Sequence, residues 1–144
     1  TPALERMHTL FAQDALVVDK WFSIQAQTPE RDGKVFARVR QLLQHPDFSL
    51  SNPNRARALL FAWQANPAAF HRSDAAGYVL WAEKVVEIDA FNPQLAARMA
   101  RALDRWRRLA QPCRSAAREA IARVASKSDL SADVREIVDR ALQD

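Results

Sequence analysis

The chain has 144 residues, 49% of them apolar and 26% charged, with a net charge of +4, a composition that belongs to a globular domain and excludes a disordered polyelectrolyte. Only two glycines occur, Gly33 and Gly77. That scarcity excludes the glycine-rich phosphate cradles of P-loop and dinucleotide-binding proteins, where backbone must approach phosphate with no Cβ in the way. One cysteine, Cys113, allows no internal disulfide, and His8, His45 and His71 are too far apart in sequence to form a local metal-ligand pair.

Proline marks the elements in chain order. Thr1-Pro2, Thr28-Pro29, Asn52-Pro53, Asn66-Pro67 and Asn92-Pro93 each set a capping side chain before a proline. Such a pair predicts a helix start, because the side-chain oxygen accepts from an orphan N–H and proline at the first helical position loses no bond. His45-Pro46 and Gln111-Pro112 lack that capping chemistry and predict breaks between helices. Between these marks apolar residues recur every three or four positions, as in Leu95, Met99, Leu103, Trp106 and Leu109. The predicted helices are residues 2–12, 14–27, 30–44, 53–64, 74–90, 93–109, 113–126 and 131–143. No segment keeps strand alternation, so the expected fold is all-α with about eight helices in a single domain over residues 1–144. A compact bundle and a curved stack of helix pairs both satisfy this pattern. Asn52-Pro53 and Asn92-Pro93 each open a helix with an arginine in its first turns, Arg57 and Arg98. Their spacing suits helix-pair repeats of roughly 40 to 47 residues.

No apolar run approaches the ~18 residues that span a bilayer, and the N-terminus lacks a charged-then-apolar signal pattern. The expectation is a soluble, cytoplasmic chain. Beginning at Thr1-Pro2 without methionine, it reads as a piece cut from something longer.

Charge is unevenly placed. Arg98 to Arg123 holds eight arginines against Asp104 and Glu119, while residues 129–144 hold five acids against Arg135 and Arg140. Wrapped at 100° per residue, Gln94, Arg98, Arg101, Arg105 and Arg108 form a stripe beside the apolar face of the 93–109 helix. The stripe reads either as a solvated helix face or as a set of planar donor forks for carboxylates and peptide carbonyls.

Catalytic patterns are sparse. A zinc peptidase needs His-Glu-x-x-His, and the sequence has none. Cys113 sits in Gln-Pro-Cys-Arg with no histidine nearby in sequence and reads as a packed or idle thiol. Glu83 with Glu87, and Asp19 with Ser23, are spaced one turn apart, as on any helix surface. His71 follows Phe70 at a predicted helix end, where a cap or buried hydrogen bond is expected. Trp21, Trp63, Trp81 and Trp106, flanked by apolar residues, read as packing anchors whose indole N–H groups seek polar partners.

Several segments in one order resemble the C-terminal helical domain of bacterial aminopeptidase N. They are Asp14 to Ala26, His45-Pro-Asp-Phe48, Asn52-Pro-Asn-Arg-Ala-Arg57, Asn66-Pro-Ala-Ala-Phe-His71, Gly77-Tyr78, Asn92-Pro-Gln-Leu-Ala-Ala-Arg98 and Leu130-Ser-Ala-Asp-Val134 with Glu136-Ile-Val138. The family often carries Asp-Gly-Ser-Gly-Tyr where this chain has Asp74-Ala-Ala-Gly-Tyr78, so a more helical loop is expected there. Ala110 to Ser128 matches poorly.

The resemblance implies a superhelical, HEAT/armadillo-like array of helix pairs forming the last, non-catalytic domain of a zinc aminopeptidase. On that reading the fragment holds no cofactor, the parent's zinc lies upstream, and the partners are the upstream catalytic domain of the same polypeptide and a peptide substrate. Nucleic acid and membrane are not expected. The domain would close over the catalytic site and line its cavity, with Arg57, Gln94 and Arg98 facing the peptide beyond the scissile bond. The competing reading is a basic helical-repeat module that binds nucleic acid through Arg98 to Arg123, or a scaffold for a protein partner.

Overall fold

The computed structural model describes residues 2–11 and 14–143. The predicted Thr1 cap and the end of the first helix at Ala12 lie outside the described residues. Among the described residues, all regular structure is helical and no strand occurs. The chain is all-α. It divides into two compact units, residues 1–70 and 71–144, each built from amphipathic helices.

The first unit holds α1 (Pro2–Phe11), α2 (Ala15–Gln27), α3 (Lys34–Leu42), α4 (Pro53–Gln64) and the single turn α5 (Pro67–Phe70). Asp14 caps α2 by accepting from Leu16 N–H at 3.0 Å, and Asn52 caps α4 by accepting from Arg55 N–H at 3.2 Å. The main packing is α2 against α4, which buries Trp21, Phe22, Leu59, Leu60 and Trp63. Edge-to-face rings fill the gaps: Trp63 meets Phe70 at 5.0 Å between centroids and Phe22 meets Phe48 at 5.6 Å. Arg55 Nε donates to Asp19 Oδ1 at 2.6 Å with both side chains largely covered, which ties the two helices at one register.

Two boundaries differ from the expectation. Thr28-Pro29 opens no helix. Thr28 ends α2, its hydroxyl donating to the Ile24 carbonyl at 3.1 Å, and α3 begins only at Lys34. Asp32 and Gly33 both take positive φ, 55° and 75°, so residues 31–33 turn and cannot continue a right-handed helix. The Glu30 carboxylate reaches over that turn and accepts from Val35 and Phe36 N–H, each at 2.9 Å, capping α3 from outside. Asn66-Pro67 does precede a helical turn, but the Asn66 amide donates to the Ala26 and Thr28 carbonyls, at 3.0 and 2.8 Å, satisfying the exposed end of α2.

The second unit holds α6 (Ala76–Asp89), α7 (Pro93–Ala100), two 3₁₀ turns (Arg101–Leu103 and Trp106–Arg108), α8 (Cys113–Ala125) and α9 (Ala132–Leu142). Helix α6 packs on α7 and α8, and α9 packs on the same two. Trp81, Val85, Ile88, Met99, Leu103, Ile121, Val124 and Val134 form the buried interior. Buried Asp89 accepts from Ser131 N–H at 2.8 Å and from its hydroxyl, while Ser131 Oγ accepts from Val134 N–H at 3.2 Å. The start of α9 is thereby fastened to the end of α6.

Three of the four tryptophans donate to backbone carbonyls as expected: Trp63 to Ala69 at 3.2 Å, Trp81 to Met99 at 2.9 Å and Trp106 to Ala141 at 2.8 Å. Three local expectations fail in this unit. The loop before α6 is not more helical, because Ala75 sits at φ 66° in the left-handed region. Gln111 does supply capping chemistry, its Oε1 accepting from Ser115 N–H in the first turn of α8 at 3.1 Å. The predicted 93–109 helix stops at Ala100. Beyond it the chain tightens into 3₁₀ turns that keep Leu103 and Trp106 buried and carry Trp106 and Arg107 onto the C-terminal carbonyls of α9.

Candidate functional site

Helix α7 positions the sequence-selected pair. Asn92 accepts from Leu95 N–H at 3.2 Å and Pro93 takes the first helical position. Leu95, Ala96, Ala97, Met99 and Ala100 are buried while Gln94 and Arg98, one turn apart, are exposed. Trp81 holds the far end of the helix through the Met99 carbonyl. The polar edge of α7 is therefore fixed by a cap at one end and an indole at the other.

Gln94 and Arg98 line a groove of about 840 Å³ between α7 and α9, together with Ala97, Arg101, Asp104, Arg105 and Arg107 on one side and Asp133, Glu136, Ile137, Arg140 and Ala141 on the other. The arginine stripe read from sequence thus forms one wall up to Arg105. Arg108 does not line it and Arg107 does, because the 3₁₀ turns past Ala100 break the α-helical stripe. The second wall was not read from sequence as part of a site, although the acidic run after residue 129 was visible. Ion pairing occupies part of the charge: Arg140 Nη2 lies 3.0 Å from Glu136 Oε1. Arg107 stacks on Trp106 at 4.5 Å and donates to the Ala141 carbonyl at 2.9 Å and to the Gln143 carbonyl.

Arg57 belongs to the first unit. It is half-buried on α4, beside the buried Ala56, Leu59, Leu60 and Trp63 stripe, and its Nη2 donates to Asn54 Oδ1 at 2.7 Å. The structure brings Gln94 and Arg98 to one groove and gives Arg57 its own local setting.

A second polar cluster surrounds Cys113. Its thiol lies 3.6 Å from the His71 carbonyl and 3.8 Å from that of Arg72. The His71 ring Nδ1 is 2.6 Å from the Tyr78 hydroxyl, a part-buried hydrogen bond where a cap or buried one was expected. Burial pushes the Tyr78 phenol well above its usual range, with the Cys113 side chain adding to the shift, and burial pushes the His71 imidazole down. A protonated phenol donating to a neutral imidazole is the state this favours. Nearby, Asp74 is held at about 2 by the Arg72 hydrogen bond and by Ala76 N–H. These contacts join the start of α8 to the loop before α6. Among the described residues, no group of three or more His, Cys, Asp or Glu is placed to hold a metal ion, so the site does not fit zinc. No helix among them is long and apolar enough to cross a membrane.

Paired helices without strands, capped at Asn-Pro steps and opening a charged groove, define a helical-repeat domain. The chain belongs to the family described as domain of unknown function DUF3458_C, ARM repeats, which matches residues 1–143. It is 40% identical over 141 residues to aminopeptidase N of Caulobacter vibrioides, covering 97% of this chain and 16% of that protein. It is also 40% identical over 131 residues to aminopeptidase N of Escherichia coli, covering 90% of this chain and 15% of that protein. The crystal structure of Legionella pneumophila aminopeptidase A in complex with aspartic acid superposes with a TM-score of 0.90 at 34% identity, over 97% of this chain and 16% of that one. The resemblance to the C-terminal region of an aminopeptidase, read from motifs, is thus shown over nearly the whole chain. The chain spans only 15–16% of the length of these relatives.

Proposed function

We propose that this chain is the non-catalytic C-terminal domain of a cytoplasmic zinc aminopeptidase that removes N-terminal residues from peptides. It caps the catalytic site of the upstream part of the same polypeptide, and Arg57, Gln94 and Arg98 line the cavity that holds the substrate. The observation that carries this reading is the 40% identity to aminopeptidase N across 90–97% of the chain. Exposed Gln94 and Arg98 on one groove edge support it, because guanidinium forks and a primary amide suit peptide carbonyls and carboxylates. On this reading the zinc would be held by the upstream part of the polypeptide, where it would supply activation of water; the described residues of this chain offer no ligand set.

The test uses the full-length polypeptide. A charge-assisted hydrogen bond contributes about 1.5–3 kcal/mol, so Arg98→Ala, and likewise Arg57→Ala, lowers kcat/KM for tri- and tetrapeptides by roughly ten- to a hundredfold. A short anilide substrate, with nothing to place at these residues, loses much less. Arg98→Lys keeps the charge and removes the planar fork, and so retains only part of the rate. Equal losses for long peptides and anilides would overturn the cavity-lining assignment.

A further inference from the structure

The groove continues past Gln94 and Arg98. Arg101 opens the first 3₁₀ turn and Arg105 precedes the second; both are exposed and both line the groove. Unlike Arg107 and Arg140, whose guanidinium groups are engaged by α9 carbonyls and by Glu136, those of Arg101 and Arg105 form no ion pair or hydrogen bond with the described residues. Two cationic forks on one groove that no carboxylate engages are a receptor for an anion.

Shape narrows what that anion can be. Helical rise separates Gln94 from Arg101 by about 10 Å, the length of roughly three residues of extended peptide. Apolar Ala97, Ile137 and Ala141 also line the groove and offer apolar surface to short side chains. Asp104 and Asp133 also line the groove. Their charge is compatible with one carboxylate at the arginines and repels a chain of phosphates. We propose that Arg101 and Arg105 hold the C-terminal carboxylate of a short peptide whose preceding residues run along the groove toward Gln94. The groove therefore reads both the free carboxylate and the length of the peptide. The proposal rests on Gln94 and Arg98 facing a peptide and adds to it the group that fixes the peptide's far end.

The 144-residue chain itself serves for the test. N-acetylated alanine peptides of two to five residues, as free acids and as C-terminal amides, are titrated into labelled protein while the arginine side-chain Nε–H signals are followed by NMR. The acids shift the Arg101 and Arg105 signals, and affinity rises from the dipeptide to the tetrapeptide and then levels off. The amides bind roughly tenfold more weakly, and Arg101→Ala with Arg105→Ala removes the difference between acid and amide. Because both side chains are exposed, circular dichroism of this double variant stays that of the parent chain. Equal binding of acids and amides with shifts confined to Arg98 would overturn this proposal and leave the peptide-facing reading standing. Affinity independent of length, shifts only outside the groove, or no binding in the millimolar range would also overturn it. An oligonucleotide that shifts the same signals at lower concentration than the tetrapeptide acid would reassign the groove to nucleic acid.

Discussion

Replacing Ala75 with glycine tests the backbone at the entry to α6. Ala75 has φ 66° and ψ 1° immediately before the first helical residue, and Asp74 Oδ1 accepts from Ala76 N–H at 3.0 Å on the other side of it. A residue with a Cβ in the left-handed region carries a penalty of about 1–2 kcal/mol, which glycine avoids. Glycine also widens the unfolded ensemble, which offsets about 0.4–1 kcal/mol of that relief. The net expectation for Ala75→Gly is stabilisation by about 0.5–1 kcal/mol. With a urea m-value of about 1–3 kcal/mol/M for a small protein, the midpoint rises by roughly 0.2–1 M, measured by tryptophan fluorescence and far-UV circular dichroism together. Ala75→Val moves the midpoint the other way, since a β-branched side chain tolerates positive φ least. If Ala75→Gly instead destabilises by about 1 kcal/mol, the usual effect of glycine inside a helix, residue 75 is helical and the left-handed entry is refuted.

Ser131→Ala removes the α9 cap, worth about 1 kcal/mol, and takes one of two donors from buried Asp89, worth about 1–3 kcal/mol more. A loss of about 2–4 kcal/mol in urea unfolding is expected, and a loss under about 0.5 kcal/mol would show that the Asp89 contact is not formed. The His71 imidazole is pushed below its ordinary value of 6.5 by burial, so as pH falls through about 6.5 the unfolded chain takes up a proton that the folded chain resists. Stability from this group is full above that pH and declines below it. The urea midpoint of the wild-type chain accordingly drops more steeply between about pH 7 and 5 than that of His71→Gln, and parallel profiles would exclude His71 as the source.

Local chemistry alone determined most of the helices of this protein. Asn52-Pro53 and Asn92-Pro93 start helices where the caps predict, and the spacing of Leu95, Met99, Leu103 and Trp106 marks a buried face. This is legible because cap hydrogen bonds span three residues and helical periodicity repeats every turn. Gln94 and Arg98 were legible for the same reason, as neighbours on the polar edge of one helix. Tertiary packing decided what local signals leave open. Thr28-Pro29 reads as a start but ends a helix, since Asn66, 38 residues further on, supplies donors to the Ala26 and Thr28 carbonyls. The 93–109 pattern stays apolar-in past Ala100 yet abandons the α-helix, since Trp106 and Arg107 must reach α9. The second wall of the groove follows the same logic. Periodicity says which face of a helix avoids water, but which polar edges meet is set by how the helices cross, and Asp133 and Glu136 join Arg98 only once α9 lies against α7.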